Sequence, residues 1–139
     1  MKKGFSLIEV LIALLIFMII FVSYMKISVL SIRSNRYSED LTTASILAHT
    51  KLVALNNLPA DSPEVSPAWH QDPENPIVLG NVCFYRFWEV NDITFGKQVK
   101  LFAVWDDRER SKAGGFGSLS DLQSSRCPVV SFRDILLYE

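Results

Sequence analysis

One carboxylate in this sequence lies where charged side chains are rarely found. Between Phe5 and Met25, a stretch of 21 residues, Glu9 is the only side chain charged at neutral pH. About 20 apolar residues are enough for a helix to cross the hydrocarbon core of a bilayer. An unpaired carboxylate in that core costs roughly 2.5 to 3.5 kcal/mol. Glu9 therefore predicts a partner of opposite charge; the alternative is that its side chain reaches the polar membrane face.

The two cysteines are the other side chains with evident reactivity. Cys83 and Cys127 both follow the apolar stretch. If that part of the chain is exported, it lies in an oxidising compartment, where an even number of cysteines favours pairing. A bridge closing a loop of this length would stabilise the fold by roughly 4 kcal/mol on the chain-entropy model. A disulfide between Cys83 and Cys127 is the prediction, and two unpaired structural thiols are the alternative.

Other reactive groups do not form a recognisable site. His49 and His70 lack the spacing and the cysteine or histidine neighbours of a zinc site. Four acids that could in principle gather calcium lack EF-hand spacing: Asp106, Asp107, Glu109 and Asp121. There is no nucleophile elbow, phosphate loop or dinucleotide fingerprint, and the Gly114–Gly117 run follows a charged turn. We expect no catalytic site, no metal and no cofactor, and hence a protein that is not an enzyme.

Length and charge limit the possible partners. The 139 residues suffice for one domain, since removing the apolar N-terminus leaves about 110 residues for a modest core. The formal net charge is -1 and the isoelectric point is about 6.1. Nucleic-acid binding normally requires a strongly basic balance or stripe. Nucleic acid is therefore not the expected partner.

The elements that must position Glu9 begin with a long helix. Residues 26–57 contain neither proline nor glycine, and the next proline is Pro59. These residues continue the helical pattern of residues 5–25. Apolar or small residues spaced by three and four form a one-sided stripe: Ile27, Leu30, Ser34, Tyr37, Leu41, Ala44, Ala48, Leu52 and Leu55. The first half of the helix is apolar all round, and the second half is expected to pack one side against a globular layer.

A loop and a sheet are predicted to follow. Residues 58–76 hold five of the six prolines, so they read as a long loop whose Trp69 and His70 form an interaction tip or fold back onto the sheet. Within residues 77–139, β-branched and aromatic residues predict three strands and a possible short fourth: Cys83–Val90, Gln98–Trp105 and Val129–Leu137, with Ile77–Leu79. Asn91–Gly96 reads as the hairpin turn, and Asp107–Arg126 as a second long connection.

Three interpretations of the N-terminus compete. A secretory signal would use Val10–Val22 as its apolar core, but no clear small-x-small cleavage site follows it. A plain signal anchor is also possible, although the basic residues on both sides leave its orientation open. The third comes from Gly4–Ala13, which closely resembles the prepilin-type signal of type IV pilins and type II secretion pseudopilins.

The resemblance implies specific processing. A prepilin peptidase would remove residues 1–4 by cutting between Gly4 and Phe5, Phe5 would be N-methylated, and Glu9 would be the acid that sets helix register during assembly. It also implies a single pass through the inner membrane with the C-terminal domain in the periplasm, and later a place in a pilus at the cell surface. Other pilins or minor pilins would be the partners.

The family resemblance also predicts the fold, which is α+β. One long N-terminal helix, membrane-spanning in its first half, would pack against a small antiparallel sheet. The order of the elements is similar to PilV-type minor pilins and to I-type minor pseudopilins. A minor pilin that enters or primes a type IV pilus is the expected function. The alternatives are a minor pseudopilin of type II secretion and, from another class, a tip adhesin or DNA-binding subunit using Arg108, Arg110 and Lys112 near Phe116.

Overall fold

The computed structural model describes residues 6–106 and 115–136. These form helices α1 and α2, a short 3-10 turn and five strands. Their bounds are α1 Leu7–Asn56, the 3-10 turn Pro63–Val65, β1 Trp69–Gln71, β2 Ile77–Leu79, β3 Val82–Ile93, β4 Gly96–Trp105, α2 Leu119–Ser124 and β5 Val129–Leu136. The chain divides into two compact units, residues 1–39 and residues 40–139.

Helix α1 runs without interruption because neither proline nor glycine occurs in its 50 residues. Its last turn tightens before Pro59: the Asn57 and Leu58 amides donate to Ala54 and Leu55 oxygens, each at 3.2 Å. The predicted end near Asn57 is therefore correct to within one residue.

The five strands form one antiparallel sheet in the order β1-β3-β4-β5. Strand β2 also pairs with β3, so β1 and β2 lie end to end along the same edge of β3. The long β3–β4 hairpin and the short β2 confirm the predicted strands, and the fold class is α+β as expected. The described part of β5 agrees with the prediction, whereas Leu137 lies outside the described residues.

One face of the sheet packs on the C-terminal part of α1. The helix buries Ala44, Ala48, Leu52 and Leu55, which recur at intervals of four, four and three residues. The facing sheet residues form one cluster with them: Phe84, Trp88, Val90, Val99, Leu101, Ala103, Trp105 and Leu136. Burial of this apolar surface is the main stabilising contribution to residues 40–139.

The opposite face has its own apolar cover. Phe87, Phe102 and Val104 pack with Leu122 of α2 and with Cys127, while Trp69 and Phe116 lie against the same cluster. Consecutive residues Leu101–Trp105 are consequently all buried. The apolar side chains on the two faces of β4 thus pack against different clusters.

Two elements were not predicted. Strand β1 lies inside the proline-rich stretch and is stabilised by non-local pairing with β3, Trp69 opposite Glu89. Helix α2 lies in the supposed long connection; its N-cap Ser118 accepts a hydrogen bond from the Asp121 amide at 3.3 Å. The Ser-x-x-Asp spacing before an apolar residue was an available signal for this helix.

The hairpin turn is shorter than predicted. Strand β3 continues to Ile93 and β4 begins at Gly96, whose φ is +149°, a value that glycine adopts at no steric cost. The ladder extends because Asn91 and Asp92 pair in register with Gln98 and Lys97. Polar side chains at an exposed hairpin end do not prevent backbone pairing.

Candidate functional site

Glu9 lies in the first turn of α1. The backbone oxygen of Ser6 accepts hydrogen bonds from the amides of Glu9 and Val10, at 3.0 and 3.3 Å, so the helix starts immediately before the acid. A carboxylate at this end interacts favourably with the helix dipole, typically by about 0.3 to 1 kcal/mol. That is too little to offset insertion into hydrocarbon, so the requirement for a cationic partner stands.

The helix around Glu9 presents apolar side chains on every side. All residues from Leu7 to Met25 are exposed, and no residue of the most apolar window of the helix is buried. By length and composition this helix can cross a membrane. A Ser23 hydroxyl bonds back to the Ile19 oxygen at 2.8 Å, which satisfies its polar group within the helix. Such a surface requires lipid or other helices as its surroundings.

The predicted stripe along α1 is covered in its second half only. Ala44, Ala48, Leu52 and Leu55 are buried, but Ile27 and Leu30 are 66% and 68% exposed. The expectation that the second half of the helix packs one side against a globular layer is met at Ala44, Ala48, Leu52 and Leu55. The exposed part, Ile27 and Leu30, therefore adds to the apolar surface of the helix.

The predicted processing residues, Gly4 and Phe5, lie outside the described residues. Cleavage between them and methylation of Phe5 therefore stay predictions from the sequence. What the structure adds is that the helix begins at Leu7, two residues after the predicted cut. The acid and the new N-terminus would thus belong to the same end of the same helix.

The structure does not bring the two cysteines into a bridge. No disulfide joins Cys83 and Cys127 in the part of the chain that the structure describes. Cys83 lies on β3, Cys127 comes two residues before β5, and β4 runs between those strands. The Asp106 amide bonds to the Cys83 oxygen and the Trp105 amide to the Pro128 oxygen, so both cysteines lie beside the end of β4. Two strand spacings amount to about 9.6 Å, whereas disulfide Cα atoms lie within about 7 Å.

Trp69 and His70 do not form an exposed tip. The Trp69 ring stacks on Phe87, with a centroid distance of 5.8 Å, and its indole donates to the Phe116 oxygen at 3.0 Å. His70 stacks on Trp88 at 5.5 Å. Of the two alternatives for this pair, folding back onto the sheet is therefore correct.

An ion-pair cluster anchors the proline-rich loop. The Asp72 carboxylate, fully buried, lies 2.8 Å from Arg86 Nε and 3.7 Å from Lys51 Nζ. Lys51 also contacts Glu64 at 3.1 Å, and Arg86 pairs with the exposed Glu74. The cluster joins α1, the loop and β3. Sequence reasoning missed it because the members are separated by up to 35 positions and share no local pattern.

Tyr85 is the described group whose acidity is perturbed most clearly. Partial burial raises the pKa of Tyr85 above its ordinary value of 10.0, and the negative charges of Cys83 and Asp106 add to the effect. The ionised phenolate is disfavoured because it would lose hydration and face like charge. In residues 6–106 and 115–136, no three His, Cys, Asp or Glu side chains lie close enough together to hold a metal ion.

Comparison with known proteins bears on the N-terminus. Residues 1–24 match the family model described as a prokaryotic N-terminal methylation motif. Neither the comparison with curated proteins nor that with solved structures found a match. The matched stretch contains Gly4, Phe5 and Glu9 together with most of the apolar helix.

The long apolar N-terminal helix and the methylation motif fit a membrane-anchored protein. The methylation motif makes this more specific: it supports a type IV pilin-type protein with a prepilin signal. Such a signal implies processing by prepilin peptidase and assembly with other pilins.

Proposed function

We propose that this chain is a minor type IV pilin that enters a pilus, or the complex that initiates one, through its N-terminal helix. The observation that carries the proposal is Glu9, an acid with no ion pair among the described residues, in the first turn of an exposed apolar helix that begins just after the predicted cut. The chain would be a structural subunit and would carry out no reaction of its own.

Assembly would supply the missing partner of Glu9. Cleavage after Gly4 creates an ammonium group at Phe5, near the membrane face. When helices leave the bilayer and pack together, the ammonium of one subunit can pair with Glu9 of another. Removing one member of such a buried pair costs about 3 to 5 kcal/mol, enough to set the register in which subunits are accepted.

The proposed topology follows from the same signal. Residues 1–4 would face the cytoplasm, α1 would cross the inner membrane once, and residues 40–139 would fold in the periplasm before reaching the cell surface. The exposed Ile27 and Leu30 support this order of events, because neighbouring helices can cover this apolar surface in a filament.

Mass analysis of the mature chain tests the processing step. We expect Phe5 to be the first residue and to carry one N-methyl group. An intact Met1, or a cut beyond Val22, would rule out the prepilin interpretation. Methylation is the expected modification because the matched family model describes an N-terminal methylation motif.

Replacing Glu9 tests the assembly step. Glu9→Ala should insert into the inner membrane normally and fail to enter filaments, since it lacks the charge that pairs with the ammonium. Asp61→Ala is the matched control, because Asp61 is an exposed acid outside the helix. Equal incorporation of Glu9→Ala, Asp61→Ala and the unaltered chain would contradict the role assigned to Glu9.

A minor pseudopilin of type II secretion is the nearest alternative, since both classes use the same signal. A deletion strain separates them: loss of surface filaments supports the pilin, and loss of exoprotein export with intact filaments supports the pseudopilin. The adhesin or DNA-binding alternative has less support. Arg108, Arg110 and Lys112 lie outside the described residues, and the Phe116 ring packs edge-on against Phe87 at 5.7 Å.

A further inference from the structure

The two edges of the sheet differ in how they are protected. One edge is formed by β1 and β2, which have three residues each and are separated by the turn around Asp72. The other is β5, which keeps an unbroken register with β4 over eight residue pairs. Short or interrupted edge strands resist pairing with another chain, whereas long regular ones invite it. β5 contains no proline.

The outward peptide groups of β5 can be assigned from its hydrogen bonds. Because the Trp105 amide donates to the Pro128 oxygen at 3.3 Å, the even-numbered residues from 128 onward direct their peptide groups toward β4. Those of Val129, Ser131 and Arg133 face away from the sheet. At the far end the outward amide of Ile135 is capped by the Asp134 carboxylate at 2.9 Å. The segment open to pairing is therefore residues 129–133.

The side chains along this segment are basic and apolar. Arg133 is exposed and lies directly opposite Lys100, a pairing of like charges that is unfavourable. Lys100 is neutralised by Glu89 at 3.6 Å. Among the described residues, no acid forms an ion pair with Arg133. Beside it, an open groove of about 520 Å³ between α2 and β5 has Phe102 and Leu119 among its lining residues.

We propose that β5 binds an extended, acid-bearing segment of a different pilin-type subunit as an added strand. Another extended backbone satisfies the alternating outward donors and acceptors in register. The partner residue opposite Arg133 would carry the carboxylate. The residue two positions away, opposite Ser131, would be apolar and would cover the groove beside Phe102. The choice of partner rests on the proposed function.

A second copy of β5 fits less well than another subunit. The face of β5 that carries Arg133 also carries Val129, Ser131 and Ile135, and none of these is acidic. The acid of the strand, Asp134, lies on the other face and bonds to Asn56 at 3.1 Å. Self-pairing would thus bring a second Arg133 to this edge and no carboxylate on the added strand.

The test measures peptide binding to the full chain in detergent micelles by fluorescence anisotropy. The probe is a capped, labelled seven-residue peptide of alternating threonine and valine with glutamate at its centre, and two further versions carry glutamine or lysine there. The glutamate peptide should bind roughly three- to tenfold more tightly than the lysine peptide, with glutamine between them. No saturable binding, or equal affinities, would overturn the proposal.

Two variants separate backbone pairing from charge. Ser131→Pro removes an outward amide and should weaken all three peptides at least about tenfold, while Ser131→Ala, which keeps the amide, should bind like the unaltered chain. Arg133→Glu, at an exposed position that tolerates the change, should reverse the order of the peptides. Equal binding by Ser131→Pro and Ser131→Ala, or an unchanged order in Arg133→Glu, would refute the assignment.

A photoreactive residue at position 131 of the purified chain checks the occupant. A covalent dimer joined through β5 would show that the strand pairs with its own copy, and would overturn the choice of a different subunit. These assays use no pili, so they are independent of the proposed function. If the chain is methylated at Phe5 but shows no preference among the peptides, the added-strand proposal fails and the proposed function is unaffected.

Discussion

Replacing Asp72 with alanine should destabilise residues 40–139 by about 3 to 5 kcal/mol, because it leaves Arg86 as a buried charge without its buried partner. The Asp72 carboxylate is fully buried and the Arg86 side chain is 7% exposed, with 2.8 Å between the charged atoms. Glu74 cannot compensate: its side chain is 74% exposed, and such pairs contribute about 0 to 1 kcal/mol. Lys51 keeps Glu64 at 3.1 Å and is affected less.

The measurement is urea unfolding of the full chain in detergent micelles, followed by tryptophan fluorescence. Trp88 is a suitable reporter because Lys51 Nζ lies 4.7 Å from its ring centroid. Asp72→Asn should cost about 1 kcal/mol less than Asp72→Ala, since it can still accept the Glu74 amide hydrogen bond of 3.0 Å.

The matched control is Glu74→Ala, which removes the exposed partner of the same arginine and should cost at most about 1 kcal/mol. The double variant Asp72→Ala with Arg86→Met should be more stable than Asp72→Ala alone, since no unpaired charge is left buried. If Asp72→Ala costs no more than Glu74→Ala, burial is not what gives this ion pair its importance, and the reasoning fails.

Three further predictions concern the core, the phenol and the thiols. Leu55→Ala should lower the free energy of unfolding by about 2 to 5 kcal/mol, measured by the same urea titration, whereas Ile46→Ala, at a position 61% exposed, should change it little. Because the pKa of Tyr85 is raised in the folded state, Tyr85 favours folding below pH 10.0, and this contribution is lost as the pH rises through the folded-state pKa. The free energy of unfolding of Tyr85→Phe should therefore depend less on pH above pH 10.0 than that of the unaltered chain. Alkylation of the unreduced, unfolded chain should label both Cys83 and Cys127, and a mass that shows neither thiol labelled would contradict the strand order that separates them.

Sequence periodicity was a reliable guide wherever the pattern and the structure it predicts are local. The proline-free run ending before Pro59 determined one helix, and the β-branched and aromatic residues of Gln98–Trp105 indicated a strand. Glu9 needed no tertiary structure to be recognised, because a charge in an apolar stretch is unfavourable whatever surrounds it.

The sequence by itself therefore determined the apolar helix, its single acid, the prepilin motif and most strands. Only the tertiary structure decided that Trp69 covers the sheet, that β4 separates the two cysteines and that Asp72 lies against Arg86. It also decided where the stripe on α1 loses its cover and which sheet edge stays open. These features depend on pairing between distant segments, and strand order and loop paths leave no trace in local residue spacing.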